Sequence, residues 1–181
     1  AKRKGISIKS LIFPRNQCNK EYLSILNKLG IQCYRGNESS WMYNTSDNVD
    51  QNKFQRLLRF LDAYFNLSGQ NTYELNECIK QNPFNFPASR FLRPYSKYIS
   101  IFDRFKLKRI KNAMNDAAIN NRIFHLWCHP HNFGININNN FNFFLEIIDY
   151  YSLLMENHGM VSLNMSELCQ LAEYNSGEQS N

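Results

Sequence analysis

Three of the four histidines in this chain fall within seven residues, at His125, His129 and His131. On an extended strand these odd-numbered positions share one side with Trp127. One interpretation makes His129 a general acid or base, with His131 shaping the loop behind it, because imidazole exchanges a proton near neutral pH. A second is a zinc site with H-x3-H-x-H spacing formed by all three histidines. A third is structural, with His125 bonded to backbone in the core and the other two in a loop.

Other side chains with chemical potential follow strand-like segments or lie in polar loops. Arg15 comes just after the first apolar run, where a guanidinium either holds carboxylate or substrate oxygens through paired hydrogen bonds or is a plain surface cation. Trp41 is either a stacking platform for a sugar ring or a lid over the core. Arg90 and Arg93 either grip an anionic ligand or fasten an irregular segment to the domain. Glu38 is a further carboxylate close to Trp41.

Several common catalytic motifs are missing from the sequence. It contains no P-loop, no G-x-G-x-x-G, no G-x-S-x-G and no H-E-x-x-H, which argues against nucleotide binding, serine hydrolase and zincin chemistry. The 21 Lys+Arg against 15 Asp+Glu give a net charge of +6, with a basic cluster in residues 104–111. A helix would place Arg104, Lys108 and Lys111 on one face, which we interpret as solvated, because no nucleic-acid motif or interleaved aromatic series accompanies it. No nucleic-acid partner is predicted.

The spacing of apolar residues predicts the elements that position these side chains. Residues 8–13 are typical of a short strand, residues 22–29 of an amphipathic helix between Asn19 and Gly30, and residues 31–34 of a second strand. Because a helical crossover joins the two strands, we expect a βαβ unit with parallel strands. A polar loop over residues 37–52 follows.

The rest of the chain continues the alternation. Helices are predicted at residues 54–65, 98–120, 140–157 and 164–174, strands at residues 123–128 and 160–163, and an irregular excursion at residues 67–97. The helix at residues 140–157 is apolar around most of its circumference and is expected to be largely buried. The order predicts an α/β fold with mostly parallel strands, in which chemistry gathers at the carboxyl ends of the strands.

Length and composition set the class of protein. With 181 residues, 43% hydrophobic and 20% charged, the chain is expected to form one domain over residues 1–175 and a disordered tail over residues 176–181. No apolar run is long enough to cross a bilayer, so no transmembrane segment is predicted. The five scattered cysteines lack C-x-x-C spacing, which favours a reducing location, cytoplasmic or peripheral to a membrane. The sequence carries no signal for an oligomeric state.

At these residues a family resemblance emerges. Residues 9–17, 29–31 and 34–38, then Trp41, then residues 124–134 with their H-P-H-N-F-G ending, resemble in this order the carboxyl-terminal half of a polysaccharide deacetylase domain. This is the NodB-homology group, carbohydrate esterase family 4. The resemblance covers most of the chain, except residues 67–97, which match only a subgroup. It implies a distorted (β/α) barrel that removes acetyl groups from an acetylated glycan with the help of a divalent metal, usually zinc.

The resemblance also implies roles for individual residues. By position, Arg15 matches the arginine that orients a catalytic carboxylate, Trp41 the aromatic of the acetyl pocket and Leu126 its leucine. His129 matches the general acid that protonates the leaving group, and His131 lies with it on the substrate side. A departing amine needs such a proton donor.

The chain departs from the family pattern before Arg15. The metal ligands of the family, an aspartate and an H-x3-H pair, precede the arginine motif, and no matching residues precede Arg15 here. The arginine motif also reads R-N-Q rather than R-x-P-aromatic. We therefore expect a partial barrel without its amino-terminal half, about half of an active site, zinc ligands upstream and no activity of these residues alone. The rival hypothesis is a non-catalytic glycan-binding or interaction domain on the same scaffold.

Overall fold

Short strands alternate with longer helices in the computed structural model of the chain, which describes residues 5–16, 18–43 and 53–178. The strands are β1 (Ser10–Ile12), β2 (Cys33–Arg35), β3 (Phe84–Asn85), β4 (Arg90–Phe91) and β5 (Leu126–Trp127). The helices are α1 (Lys20–Lys28), α2 (Lys53–Asp62), α3 (Leu75–Cys78), α4 (Asp103–Ile119), α5 (Pro130–Phe133), α6 (Ile137–His158) and α7 (Met165–Glu178), with 3-10 helices at Pro14–Asn16 and Ser100–Phe102. All named strands pair in parallel, which confirms the predicted α/β class.

The chain divides into two compact units. Of the described residues, 5–16, 18–37, 74–87 and 162–178 belong to the first unit, and 38–43, 53–73 and 88–161 belong to the second. The single domain over residues 1–175 stays a prediction.

The first unit is built on the three-stranded sheet β1-β2-β3. Helix α1 joins β1 to β2, which pair in parallel with Leu11 opposite Tyr34. The Oδ1 atom of Asn19 accepts a 3.0 Å hydrogen bond from the Glu21 N–H at the start of α1. Gly30, with φ of +78°, follows the end of the helix in a conformation that other residues rarely adopt. The predicted βαβ unit is therefore confirmed.

Helix α7 begins at a capping box in the same unit. The Asn164 N–H donates to Oε2 of Glu167 at 2.7 Å, and the Glu167 N–H donates back to Oδ1 of Asn164 at 3.0 Å. The helix packs against β2, where Cys33 and Cys169 are fully buried. It continues to Glu178, beyond the residue where the sequence predicts the tail to start, and residues 179–181 lie outside the described part.

The second unit has its core between α4 and α6. The buried residues of this core are Leu92, Ile110, Met114, Ile147 and Leu154. β4 and β5 form a separate parallel pair on this core, with the half-buried Leu126 of β5 packed against it. No helix in the described ranges is both long and apolar enough to cross a lipid bilayer.

Four predicted features of the elements are wrong. Residues 160–163 form no strand, and only Leu126 and Trp127 of the predicted strand at residues 123–128 belong to β5. Residues 67–97 are not irregular throughout, since they contain α3, β3 and β4. Helix α6 is not largely buried. Its exposed apolar residues include Phe141, Leu145, Ile148 and Met155.

Candidate functional site

The ends of β4 and β5 bring two aromatic residues and a histidine together. Phe91, the last residue of β4, lies opposite Trp127, the last residue of β5. Pro130 then begins α5, since proline suits the first helical position, where its fixed φ fits and no N–H needs a partner. His129 is the N-cap of α5 and makes no side-chain capping bond. The imidazole therefore extends from the carboxyl end of a parallel strand, as expected for a site residue.

Aromatic rings hold the imidazole of His129 in place. Its centroid lies 5.5 Å from the Phe91 ring and 5.3 Å from the Trp127 ring, both in edge-on geometry. The rings of Phe91 and Trp127 are themselves 4.5 Å apart. The imidazole is exposed and forms no hydrogen bond with the described residues. Ring packing thus orients His129 while both ring nitrogens stay available to solvent or to a ligand.

The positions of the other two histidines, His125 and His131, differ from those expected from the sequence. β5 contains only two residues, so His125 precedes the strand and His131 lies in α5, and the three do not share one side of an extended strand. The imidazole of His131 stacks on that of His129, with centroids 5.3 Å apart and planes 22° apart. The backbone oxygen of His125 accepts from the N–H of Ser89 at 2.9 Å, and its N–H donates to Oγ of Ser89 at 2.8 Å.

The described residues do not provide a metal site. Within residues 5–16, 18–43 and 53–178, no group of three or more His, Cys, Asp or Glu side chains is placed to hold an ion. The stacked rings of His129 and His131 are nearly parallel, whereas shared ligands direct their nitrogens to one point. The alternative zinc site at His125, His129 and His131 is therefore not formed by these side chains.

Arg15 lies in the first unit, in the 3-10 helix that directly follows β1. Its side chain is outside the described part of the structure. The neighbouring Asn16 is buried and adopts φ of +57°. Its Oδ1 accepts hydrogen bonds from Nε and Nη2 of Arg35 at 3.0 and 2.9 Å. Asn16 and Arg35 thus fasten the turn after β1 to the end of β2, a contact that sequence reasoning missed.

Trp41 belongs to the second unit and is 60% exposed. The turn that carries it is closed by a 2.9 Å hydrogen bond from the Tyr43 N–H to the Ser40 oxygen. The hydroxyl of Tyr43 donates to Oδ2 of Asp62 at 2.8 Å. Burial raises the pKa of Tyr43, and the Asp62 carboxylate raises it further. This anchored turn presents the indole to solvent and does not use it to cover the core.

A buried ionic cluster, which the sequence did not reveal, contacts the turn that carries Trp41. Asp62 is fully buried and accepts a 2.7 Å hydrogen bond from Arg109, with Arg90 of β4 at 3.7 Å. Burial lowers the pKa of Arg90 to about 10 and the neighbouring Arg109 adds to this, while Asp62 opposes it. Arg90 also donates to the backbone oxygen of Gly69. Of the two roles considered for Arg90, the contacts match that of fastening the preceding segment to the domain.

The predicted site residues therefore fall into two groups. Arg15 is in the first unit, and Trp41, Leu126, His129 and His131 are in the second. Within the second unit, His129 and His131 are in contact, and the Trp41 turn is tied to β4 through Asp62 and Arg90.

Searches with this sequence and structure found no matching protein-family model, no matching curated protein and no matching solved structure.

Proposed function

We propose that this chain supplies the carboxyl-terminal part of the active site of a polysaccharide deacetylase, which hydrolyses acetyl groups from an acetylated glycan. The observation that carries the proposal is the placement of His129. It follows a parallel strand, rests against Phe91 and Trp127, and keeps its nitrogens available. Such a histidine suits proton transfer at the carboxyl edge of an α/β sheet.

The proposed chemistry is hydrolysis of an amide or ester. A water oxygen adds to the acetyl carbonyl carbon while the catalytic carboxylate that the resemblance implies takes a proton from the water, and the bond from that carbon to the sugar nitrogen or oxygen breaks. His129, as an imidazolium, gives its ring proton to the departing nitrogen or oxygen, and acetate is the second product. Because the edge-on rings of Phe91 and Trp127 already orient the imidazole of His129, the proton donor needs little further ordering during the reaction.

The remaining assignments follow the resemblance and the strand ends. Arg15 orients the catalytic carboxylate, and Trp41 and Leu126 line the acetyl pocket. His131, stacked on His129, contacts the substrate beside it. The partial (β/α) barrel that the resemblance implies is part of this proposal. The zinc ion that the resemblance implies would take its ligands from polypeptide outside the described residues.

The test is acetate release from an acetylated chitooligosaccharide by the full natural polypeptide that contains this chain. His129→Ala should lower kcat by roughly 100- to 10,000-fold with little change in KM, because it removes a proton donor and not a binding contact. His131→Ala, the matched control, should have a milder effect. Near-normal turnover of His129→Ala, or greater damage from His131→Ala, would contradict the role of His129.

A second candidate function is glycan binding without catalysis. Two observations favour it, since sugar rings stack on aromatic faces. The ring of Trp41 is exposed, and the rings of Phe91 and Trp127 lie in contact at the ends of β4 and β5. Binding of the oligosaccharide without acetate release by the full polypeptide would support this candidate instead of the enzyme.

A further inference from the structure

Arg93 follows β4 at the same distance as His129 follows β5. Phe91 and Trp127 are directly paired, and each of the two residues comes two positions later. The Leu92 N–H donates to the Trp127 oxygen at 2.8 Å, so parallel pairing continues beyond the two strands. Arg93 and His129 therefore leave the sheet at the same edge.

Two aromatic rings hold the guanidinium of Arg93. Its Cζ atom lies 5.5 Å from the centroid of Phe60 and 6.0 Å from that of Phe91. Phe91 is also one of the rings that orient His129. A guanidinium over aromatic faces is stabilised as a cation and keeps its planar fork of N–H donors for other partners. One phenyl ring thus positions both the arginine and the proposed acid.

The charge of Arg93 is not neutralised within the described part of the chain. The half-buried guanidinium forms no ion pair or hydrogen bond with the residues described. Asp103 at the start of α4 pairs with Lys106 at 2.8 Å. Lys106 in turn donates to the Arg93 backbone oxygen at 3.2 Å. This contrasts with Arg109, whose guanidinium is hydrogen-bonded to Asp62 at 2.7 Å.

We propose that Arg93 binds an anionic group, a carboxylate or a phosphate, on the glycan that reaches His129. The inference rests on the proposed function and adds the substrate class, an acetylated glycan that carries negative charge. Both anions present paired oxygens that match the N–H fork of a guanidinium, whereas a neutral glycan presents only hydroxyl and amide groups. Arg93 is thereby a specificity-determining residue with no part in the proton transfer.

The experiment measures binding by isothermal titration with the full natural polypeptide and two matched pairs of probes. The carboxylate pair is a tetrasaccharide alternating N-acetylglucosamine and glucuronic acid against the N-acetylglucosamine tetramer. The phosphate pair is N-acetylglucosamine 6-phosphate against N-acetylglucosamine. We expect the charged member of one pair to bind roughly ten- to a hundredfold more tightly. Which pair shows the difference identifies the anion.

Variants separate Arg93 from the general positive charge of the protein. Arg93→Gln should abolish the preference, and Arg93→Lys, which keeps the charge but loses the planar fork, should retain part of it. Arg104→Gln is the control, because Arg104 is exposed and lies on the opposite face of α4 from Lys106. It removes the same charge and should keep the preference.

The outcomes distinguish this inference from the proposed function. Equal affinity for both members of each pair, a preference that survives in Arg93→Gln, or equal loss in Arg104→Gln overturns the role of Arg93 and leaves the deacetylase proposal standing. If the unmodified protein binds none of the glycans, both proposals fail.

Discussion

Arg109 donates a 2.7 Å hydrogen bond from Nη2 to Oδ1 of Asp62, and both side chains are almost completely buried. The same carboxylate accepts from the hydroxyl of Tyr43 and lies 3.7 Å from Arg90. It therefore connects α2, α4, β4 and the turn that carries Trp41. The folded second unit depends on one carboxylate that compensates two buried cations.

Asp62→Asn should destabilise the protein by about 3–5 kcal/mol, because it leaves two arginines buried without their counter-ion. Urea unfolding followed by circular dichroism measures this change. Glu77→Gln is the control, since the Glu77–Lys80 pair is exposed and contributes little. If both variants lose the same small amount of stability, the buried cluster does not have the energetic role assigned to it.

The loss of stability at acidic pH should also depend on Asp62. Burial by itself raises the pKa of this carboxyl, but Arg109 and the hydrogen bonds of Ser68 and Tyr43, together with Arg90, outweigh burial and hold the pKa below its ordinary value. Because the folded-state pKa is depressed, the contribution to stability is fully present above about pH 4 and is lost as the pH falls through the folded-state pKa.

Urea unfolding at a series of acidic pH values checks this dependence. The unmodified protein should lose stability more steeply than Asp62→Asn as the pH falls below about 4, since the variant has no carboxyl to protonate at this position. Parallel curves for the two proteins would assign acid sensitivity to other groups.

Asn140 should control the order of the loops that flank His129. Its Oδ1 accepts from the Tyr95 N–H at 2.6 Å, and its Nδ2 donates to the Ile135 oxygen at 2.8 Å. The buried amide thus joins the loop after β4 to the loop after α5. Asn140→Leu should cost about 1–3 kcal/mol for each buried group left unpaired and should speed hydrogen exchange of the Tyr95 amide.

The matched variant is Asn139→Leu, one position earlier on α6 and exposed. It should leave both the unfolding free energy and the Tyr95 exchange rate nearly unchanged. Unaltered Tyr95 exchange in Asn140→Leu would show that the side-chain amide does not hold this loop.

Local signals in the sequence were sufficient to predict the helices and strands that have capping residues or a clear spacing of apolar residues. The cap at Asn19 and the stop at Gly30 place α1 between two parallel strands, and Asn164 with Glu167 marks the start of α7. β3 and β4 contain two residues each, too few to show a period of two. Their positions depend on pairing with strands elsewhere in the chain, which the local pattern does not contain.

The site was partly predictable for the same reason. His129 could be placed at a strand end because Pro130 stops the strand, but proline also starts α5, and this removes the shared side expected for His131. Arg109 is part of a basic cluster in the sequence, and charged residues on helices are normally exposed. Its burial follows from Asp62, 47 positions away in the sequence, so no local pattern reports it.

Cys128 should be the most reactive thiol of the native protein and a reporter of the candidate site. It is exposed and lies between Trp127 and His129, whereas Cys33 and Cys169 are buried and burial raises the pKa of both thiols. A protonated, inaccessible thiol reacts slowly with a disulfide reagent. We expect rapid labelling of Cys128 by dithionitrobenzoate and slower labelling of the partly exposed Cys18, whose thiol pKa burial raises. The three buried thiols, Cys33, Cys78 and Cys169, should react only after unfolding. Cys128→Ser should remove the rapid phase of labelling.

Labelling of Cys128 should also report on the candidate site. It should weaken glycan binding in the unmodified protein but not in Cys128→Ser, because the added group lies beside His129. A rapid phase that persists in Cys128→Ser would contradict the assigned exposure, and full binding after labelling of Cys128 would place the glycan away from His129.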